Sequence, residues 1–177
     1  MNTTDPLGNP VSLGDPSSAA GVAAFVDGFL ACEDRVVDVL AAAEHDDAPI
    51  VQGYAAALHL FAESPQAPGK ARRHLDRAAA SAVTATEGEQ RFVAAVRAWA
   101  DGDVTGAIAL HAEQVRVNPR DLASVKLGQY HCFNLGDAPG MLRLARAAAP
   151  AAAEVAPVHG MLAFGYEQCH LLREAER

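Results

Sequence analysis

Seven histidines and three cysteines are the side chains in this 177-residue sequence best suited to metal binding or nucleophilic chemistry. The histidines are His45, His59, His74, His111, His131, His159 and His170, and the cysteines are Cys32, Cys132 and Cys169. None of them forms HExxH, and no Cys/His group has zinc-finger spacing. His131-Cys132 and Cys169-His170 are adjacent pairs. Neighbours on a helix project about 100° apart, so neither pair chelates a metal unaided. A cysteine nucleophile needs a base nearby and a depressed pKa. Cys132 and Cys169 instead stand among Tyr130, Phe133 and Tyr166, a setting that suits buried structural thiols. The sequence contains no GxGxxG, Walker loop or GxSxG. Asp46-Asp47 and the pair Asp101/Asp103 fall where turns are expected, and helix capping and solvation are their natural tasks. No metal or cofactor is therefore expected. One catalytic arrangement stays open: His131, His159, Tyr166 and Glu167, if the fold brings them into a pocket between helices. Such a pocket would equally serve a small-molecule-binding protein.

The elements that would position these groups are helices. Half of the residues are hydrophobic, only 6 % are aromatic, and alanine recurs throughout. Alanine is the strongest helix former and lets backbones approach closely. Residues 1–16 carry Pro6, Pro10 and Pro16 with Gly8 and Gly14, and read as a flexible, extended arm. No sheet is expected. From residue 17 to 177 the chain reads as a single helical domain. Val22, Phe25, Val26, Phe29 and Leu30 follow helical spacing, and Val36, Val37 and Leu40 either continue that helix or start another after Cys32-Glu33-Asp34. A helix is predicted over 50–62, a Pro-rich turn over 63–69, and a further helix over 70–83. Thr86 with Glu89 has the spacing of a capping box for the helix that contains Trp99.

The formal charge of −8, from 22 acidic and 14 basic residues, argues against general binding to a nucleic-acid backbone. The cluster Arg72, Arg73 and Arg77 reads as a solvated helix face. An odd number of cysteines without CxxC suits a reducing compartment. The start lacks the basic and apolar regions of a signal peptide, and charged residues or histidine interrupt every apolar run. A cytoplasmic location and no membrane insertion are expected.

A repeat organises the second half. Gly102 precedes Gly136 by 34 residues, Asp103 precedes Asp137 by 34, and Trp99 precedes Phe133 by 34. Sharp turns are expected at both Gly-Asp pairs. Ala107 falls where the second helix of a unit must approach the first, and Pro119 closes that unit. Leu127-Gly128 and Phe164-Gly165 supply a small residue in the first helix of two successive units. A helix–turn–helix unit of this period has the tetratricopeptide pattern, although His111 stands where a late aromatic is usual. The fold class is thus all-α, with antiparallel helical hairpins stacked as a short right-handed tetratricopeptide-like solenoid.

Three segments carry a more specific likeness: 47–61, 86–137 and 158–177. The Glu-Gln before the Trp99 helix, the Asn-Pro-Arg-Asp turn, the Leu-Gly-Asp turn and Gly160-Met161 followed by Phe164-Gly165 resemble the tetratricopeptide repeat protein 38-like family, in its N-terminal portion. That resemblance implies a helical-repeat fold more than an activity. Family members continue with further repeats, and the hairpin around LLREAER looks incomplete here.

A solenoid presents the first helix of each hairpin on its concave side. Trp99, then Lys126, Tyr130, Phe133 and Asn134, then His159, Tyr166 and His170 are the candidate ligand-binding residues. Their mixture of aromatic and polar groups suits a protein or peptide partner. Phe92, Val96, Phe133, Leu162 and Trp99 could as readily fill seams between hairpins. Leu162, Leu171 and Leu172 are the candidate interface of a homodimer built through the C-terminal helix, most simply around a two-fold axis. A non-catalytic interaction scaffold is the favoured reading.

Overall fold

The computed structural model describes residues 1–176. It comprises two compact units, Met1–Ala107 and Ile108–Arg177. Antiparallel helical hairpins form most of both.

The first unit opens with a correction. Where the composition suggests an extended arm and no sheet, β1 (Asn2–Thr4) and β2 (Pro10–Ser12) pair antiparallel. The turn between them is built by Asp5, whose Oδ1 accepts from the backbone of Leu7 at 2.9 Å and Asn9 at 2.8 Å. Gly8 takes the positive φ, 84°, that closes it. Leu7, Val11 and Leu13 are buried, so the segment owes its order to apolar anchoring that proline counting misses. Two carboxylates from later in the chain hold it down. Glu89 accepts from the Ser12 backbone at 2.7 Å, and Asp46 accepts from Gly14 and Asp15 at 3.1 and 3.0 Å.

Helix α1 (Ala19–Ala31) stops at Cys32, which adopts a left-handed φ of 58°, and α2 (Asp38–His45) follows a 3-10 turn. The two-helix alternative for this segment is therefore correct. Helix α3 (Pro49–Phe61) is buried continuously over 49–57 and forms the centre of the unit. Its Gln52 amide donates to the carbonyls of Ala43 at 2.8 Å and Asp46 at 2.6 Å, and its oxygen lies 2.7 Å from His74 Nδ1. Helix α4 (Ala67–Ala80) begins earlier than the prolines suggest, because Pro68 occupies its first turn, where the missing N–H is not needed. Helix α5 (Glu87–Ala100) has the expected capping box, with both the Thr86 and Glu89 side chains engaged. Phe29, Phe25, Tyr54 and Phe92 stack or pack edge-on in succession with centroid separations of 5.3, 4.0 and 5.0 Å. Of the residues that could fill seams, Phe92 and Val96 are buried, Trp99 and Leu162 are half-buried, and Phe133 is exposed.

Helix α6 (Val104–Val117) begins in the first unit and continues into the second. There α7 (Leu122–Asn134), α8 (Ala138–Ala148), α9 (Ala156–Gln168) and a short α10 (Leu172–Ala175) follow. Asp121 caps α7 by accepting from Ser124 N and, through its other oxygen, from Ser124 Oγ and the Gln114 amide. Burial raises the Asp121 pKa, against the lowering effect of these bonds.

The 34-residue period is physical. At Gly102 (φ 84°) the Asp103 N–H bonds to Ala98 O and the Gly102 N–H to Trp99 O. At Gly136 (φ 73°) the Asp137 N–H bonds to Cys132 O and the Gly136 N–H to Phe133 O. These paired bonds close the last carbonyls of a helix around a left-handed residue. The same turn recurs 34 residues later, where the Leu171 N–H bonds to Tyr166 O and the His170 N–H to Glu167 O. His170 (φ 58°) occupies the glycine position, which hides this third turn from a search for glycines. Asp103 and Asp137 then cap the next helix through Gly106 N and Gly140 N, at 2.8 and 2.9 Å. A Cβ on either glycine would meet that carboxylate at 2.1 Å.

Replacing Glu89 with alanine removes the acceptor for both Ser12 N and Thr86 N. We expect a loss of about 1–3 kcal/mol in urea unfolding. Hydrogen exchange at the Ser12 amide should quicken by more than exchange at the α3 centre. Equal acceleration everywhere would mean that Glu89 does not anchor the hairpin.

Candidate partner-binding face

Helix α7 is buried on most of its surface. Leu122, Ala123, Ser124, Val125, Leu127, Gly128, Gln129, His131 and Cys132 are all buried. Lys126 and Tyr130 are half-buried, and Phe133 and Asn134 are exposed. Positions 126, 130, 133 and 134 follow the i, i+4, i+7, i+8 spacing of one helix face. The α7 members of the candidate site therefore form a single stripe, and Phe133 is 49 % exposed.

Helix α9 is held beside that stripe by one buried side chain. The Gln129 amide donates to Met141 O on α8 and Met161 O on α9, each at 3.0 Å. Gly165 lets α9 close on α8, since a Cβ there would lie 3.0 Å from Leu142 Cα. Phe133 meets Phe164 at a centroid distance of 5.6 Å.

The α9 candidates do not join the stripe. Adding the 34-residue period to Lys126, Tyr130 and Phe133 leads to Gly160, Phe164 and Glu167. His159, Tyr166 and His170 correspond instead to Val125, Cys132 and Gly136, which lie off the stripe. His159 is exposed near the start of α9, with Nε2 2.8 Å from Ala153 O. Tyr166 lies under the Arg146 guanidinium, 5.6 Å from its ring centroid. His170 sits in the turn. Phe164, 39 % exposed, is the stripe residue that the sequence reading passed over. The same period that locates the turns would have found it. Trp99, on α5 of the other unit, is half-buried. Of the proposed interface residues, Leu162 is half-buried, while Leu171 and Leu172 are 41 % and 57 % exposed.

The open catalytic arrangement is dispersed among different settings. His131 is buried against His111, with ring centroids 5.9 Å apart and planes at 27°. His159 reaches Ala153, Tyr166 faces Arg146, and Glu167 borders an open groove between α9 and α10. Burial depresses His111 to a pKa of about 3, with a contribution from His131, and depresses His131 to about 4. Both are neutral at pH 7. The Cys132 thiol is pushed up to about 11 by burial and then by the Asp137 carboxylate, against the effect of Arg143. A thiol so raised is a poor nucleophile. Among the described residues no cluster of three or more His, Cys, Asp or Glu side chains could hold a metal ion, and no helix is long and apolar enough to cross a membrane.

Two measurements test this packing. Gln129→Leu removes the amide that joins three helices, and a loss of about 1–3 kcal/mol is expected in chemical unfolding. An unchanged midpoint would contradict the bridging role. The paired histidines give a pH signature. Their folded pKa values lie below the ordinary value of 6.5, so the unfolded chain takes up protons first as pH falls. Their contribution to stability is complete above pH 6.5 and is lost progressively down to about pH 4 for His131 and about pH 3 for His111. His111→Phe should lessen that acid loss relative to the parent. Parallel stability–pH curves would exclude a neutral buried pair.

Comparison of the chain with protein-family models, with curated proteins and with solved structures gives no match.

Proposed function

We propose that this protein is a non-catalytic, tetratricopeptide-like scaffold that binds a peptide or protein segment along α7. The proposal includes a right-handed stacking of its hairpins, kinship with the tetratricopeptide repeat protein 38-like family, and a cytoplasmic setting. The observation that carries the reading is the single accessible stripe of Lys126, Tyr130, Phe133 and Asn134 on an otherwise buried helix, extended by Phe164. Three aromatic side chains supply apolar contact area at low entropic cost, and Lys126 and Asn134 supply polar recognition. Helix α7 is a rigid platform, because Gln129 and the Asp121 cap fix its middle and its start. The alternative, a small-molecule site or enzyme built on His131, His159, Tyr166 and Glu167, receives less support from their separate surroundings.

The test is selection of peptides from a random library against the intact chain, followed by fluorescence anisotropy. Tyr130→Ala with Asn134→Ala should weaken the selected peptides by about 1–3 kcal/mol while leaving the melting temperature within about 2 °C. Unchanged affinity would remove the stripe from the binding surface. A library that yields nothing, beside small molecules that raise the melting temperature and lose their effect in His159→Ala, would favour the pocket alternative.

A further inference from the structure

A trench of about 260 Å³ runs between α6 and α8. Ile108, Ala112 and Val115 form one wall, on a single face of α6, and Leu144 and Ala147 form the other. Cys132 of α7, fully buried, lies at the floor. Arg116 and Arg143, both exposed, stand at the rim. All of these residues belong to one compact unit, and the walls are helices inside the chain rather than at either end.

The repeat explains why the trench is open. Tyr166 lies under the Arg146 guanidinium, 5.6 Å from its ring centroid. Subtracting the 34-residue period from that contacting pair gives Cys132 and Ala112, both of which line the trench. The place that a phenol ring and an arginine stem occupy in one repeat is therefore left to a thiol and a methyl group in the repeat before it. Gly140 adds room, since a Cβ there would lie 2.9 Å from Cys132 Sγ. The wall stays apolar over the same step, Ile108 corresponding to Leu142. The small residues thus leave a gap of aromatic size in a packing scheme that the next repeat completes with tyrosine.

The rim decides the polarity of the guest. Arg116 donates to Glu113 through both Nε and Nη2, at 2.9 and 2.7 Å, and Arg143 donates to Asp137 at 3.4 Å. Each cation already has a carboxylate of its own, so an anionic guest gains little. A guanidinium bonded along its edge still offers its flat face to an aromatic ring, as Arg146 does to Tyr166. The volume decides the size. Ligand pockets span about 300–1,000 Å³, and this trench lies at the small end, where one ring or a fused pair fits.

We propose that the trench binds a small neutral aromatic molecule, a phenol in its simplest form, with the ring above Cys132 and Ala112 and the Arg116 and Arg143 guanidiniums beside it. The site lies off the α7 stripe. Peptide binding along the stripe and ring binding in the trench each hold or fail alone.

The test uses the full chain and p-cresol, the free form of the tyrosine side chain, with 4-methylcyclohexanol as its saturated counterpart. In amide NMR titrations p-cresol should shift Ala112, Cys132 and Gly140 saturably and bind about fivefold more tightly than 4-methylcyclohexanol. Ala112→Trp, at an exposed position, places an indole in the trench. It should abolish the shifts at Cys132 and Gly140 while leaving the melting temperature within about 2 °C. Arg116→Gln with Arg143→Gln should bring the two probes within about twofold of each other. Tyr130→Ala, which alters the stripe, should leave p-cresol binding unchanged. Shifts that are absent or do not saturate, equal binding of the two probes by the parent, or full binding by Ala112→Trp overturns the proposal. So does a short tyrosine-containing peptide that moves the same amides and binds about tenfold more tightly than p-cresol, since the guest would then be a partner's side chain.

Discussion

The arrangement of the second unit depends on one buried amide. Gln129 reaches from α7 to a carbonyl on α8 and another on α9. A buried amide must find partners, and here two of them belong to neighbouring helices. Apolar packing alone would tolerate a helix that slides or rotates by part of a turn. One of the bonds ties α9 to α7 at Met161, and the other ties α8 to α7 at Met141. Gln52 acts similarly in the first unit, linking α3 to the end of α2 and to His74 on α4. Small residues complete the device. Gly128, where a Cβ would meet Leu144 at 2.8 Å, and Gly165 bring the backbones close enough for the amide to reach.

The accessible surface follows from that close packing. Helix α7 is so enclosed that only one stripe of it meets solvent, and helix α9, one repeat later, presents the corresponding residues openly. The chemistry of the interior points the same way. The buried histidines are neutral at pH 7, and the Cys132 thiol is held protonated. These groups are packed in the interior, while aromatic, amide, ammonium and carboxylate side chains lie on the accessible stripe and beside it.

Much of the fold was legible in the sequence, because helix turns leave local signatures. The Gly-Asp pairs at 102 and 136 mark two turns, and Thr86 with Glu89 marks a cap that the structure contains. The third turn was not legible as a glycine, since His170 occupies the left-handed position and its backbone bonds alone reveal the phase. The β-hairpin was hidden for a different reason. Besides its buried Leu7, Val11 and Leu13, it is held by Asp46 and Glu89, far along the chain, and local composition cannot express a contact between residues 12 and 89. The α7 stripe was readable from helical spacing. Its continuation on α9 was displaced because His159, Tyr166 and His170 attract attention by type, whereas the period leads to Gly160, Phe164 and Glu167.

The central claim is that the Gln129 amide sets the place of α9 against α7 and α8. A crystal structure of the Gln129→Leu chain measures this directly. Superposed on the parent through α7 and α8, its α9 should be shifted or rotated. An α9 that keeps the parent position would contradict the account.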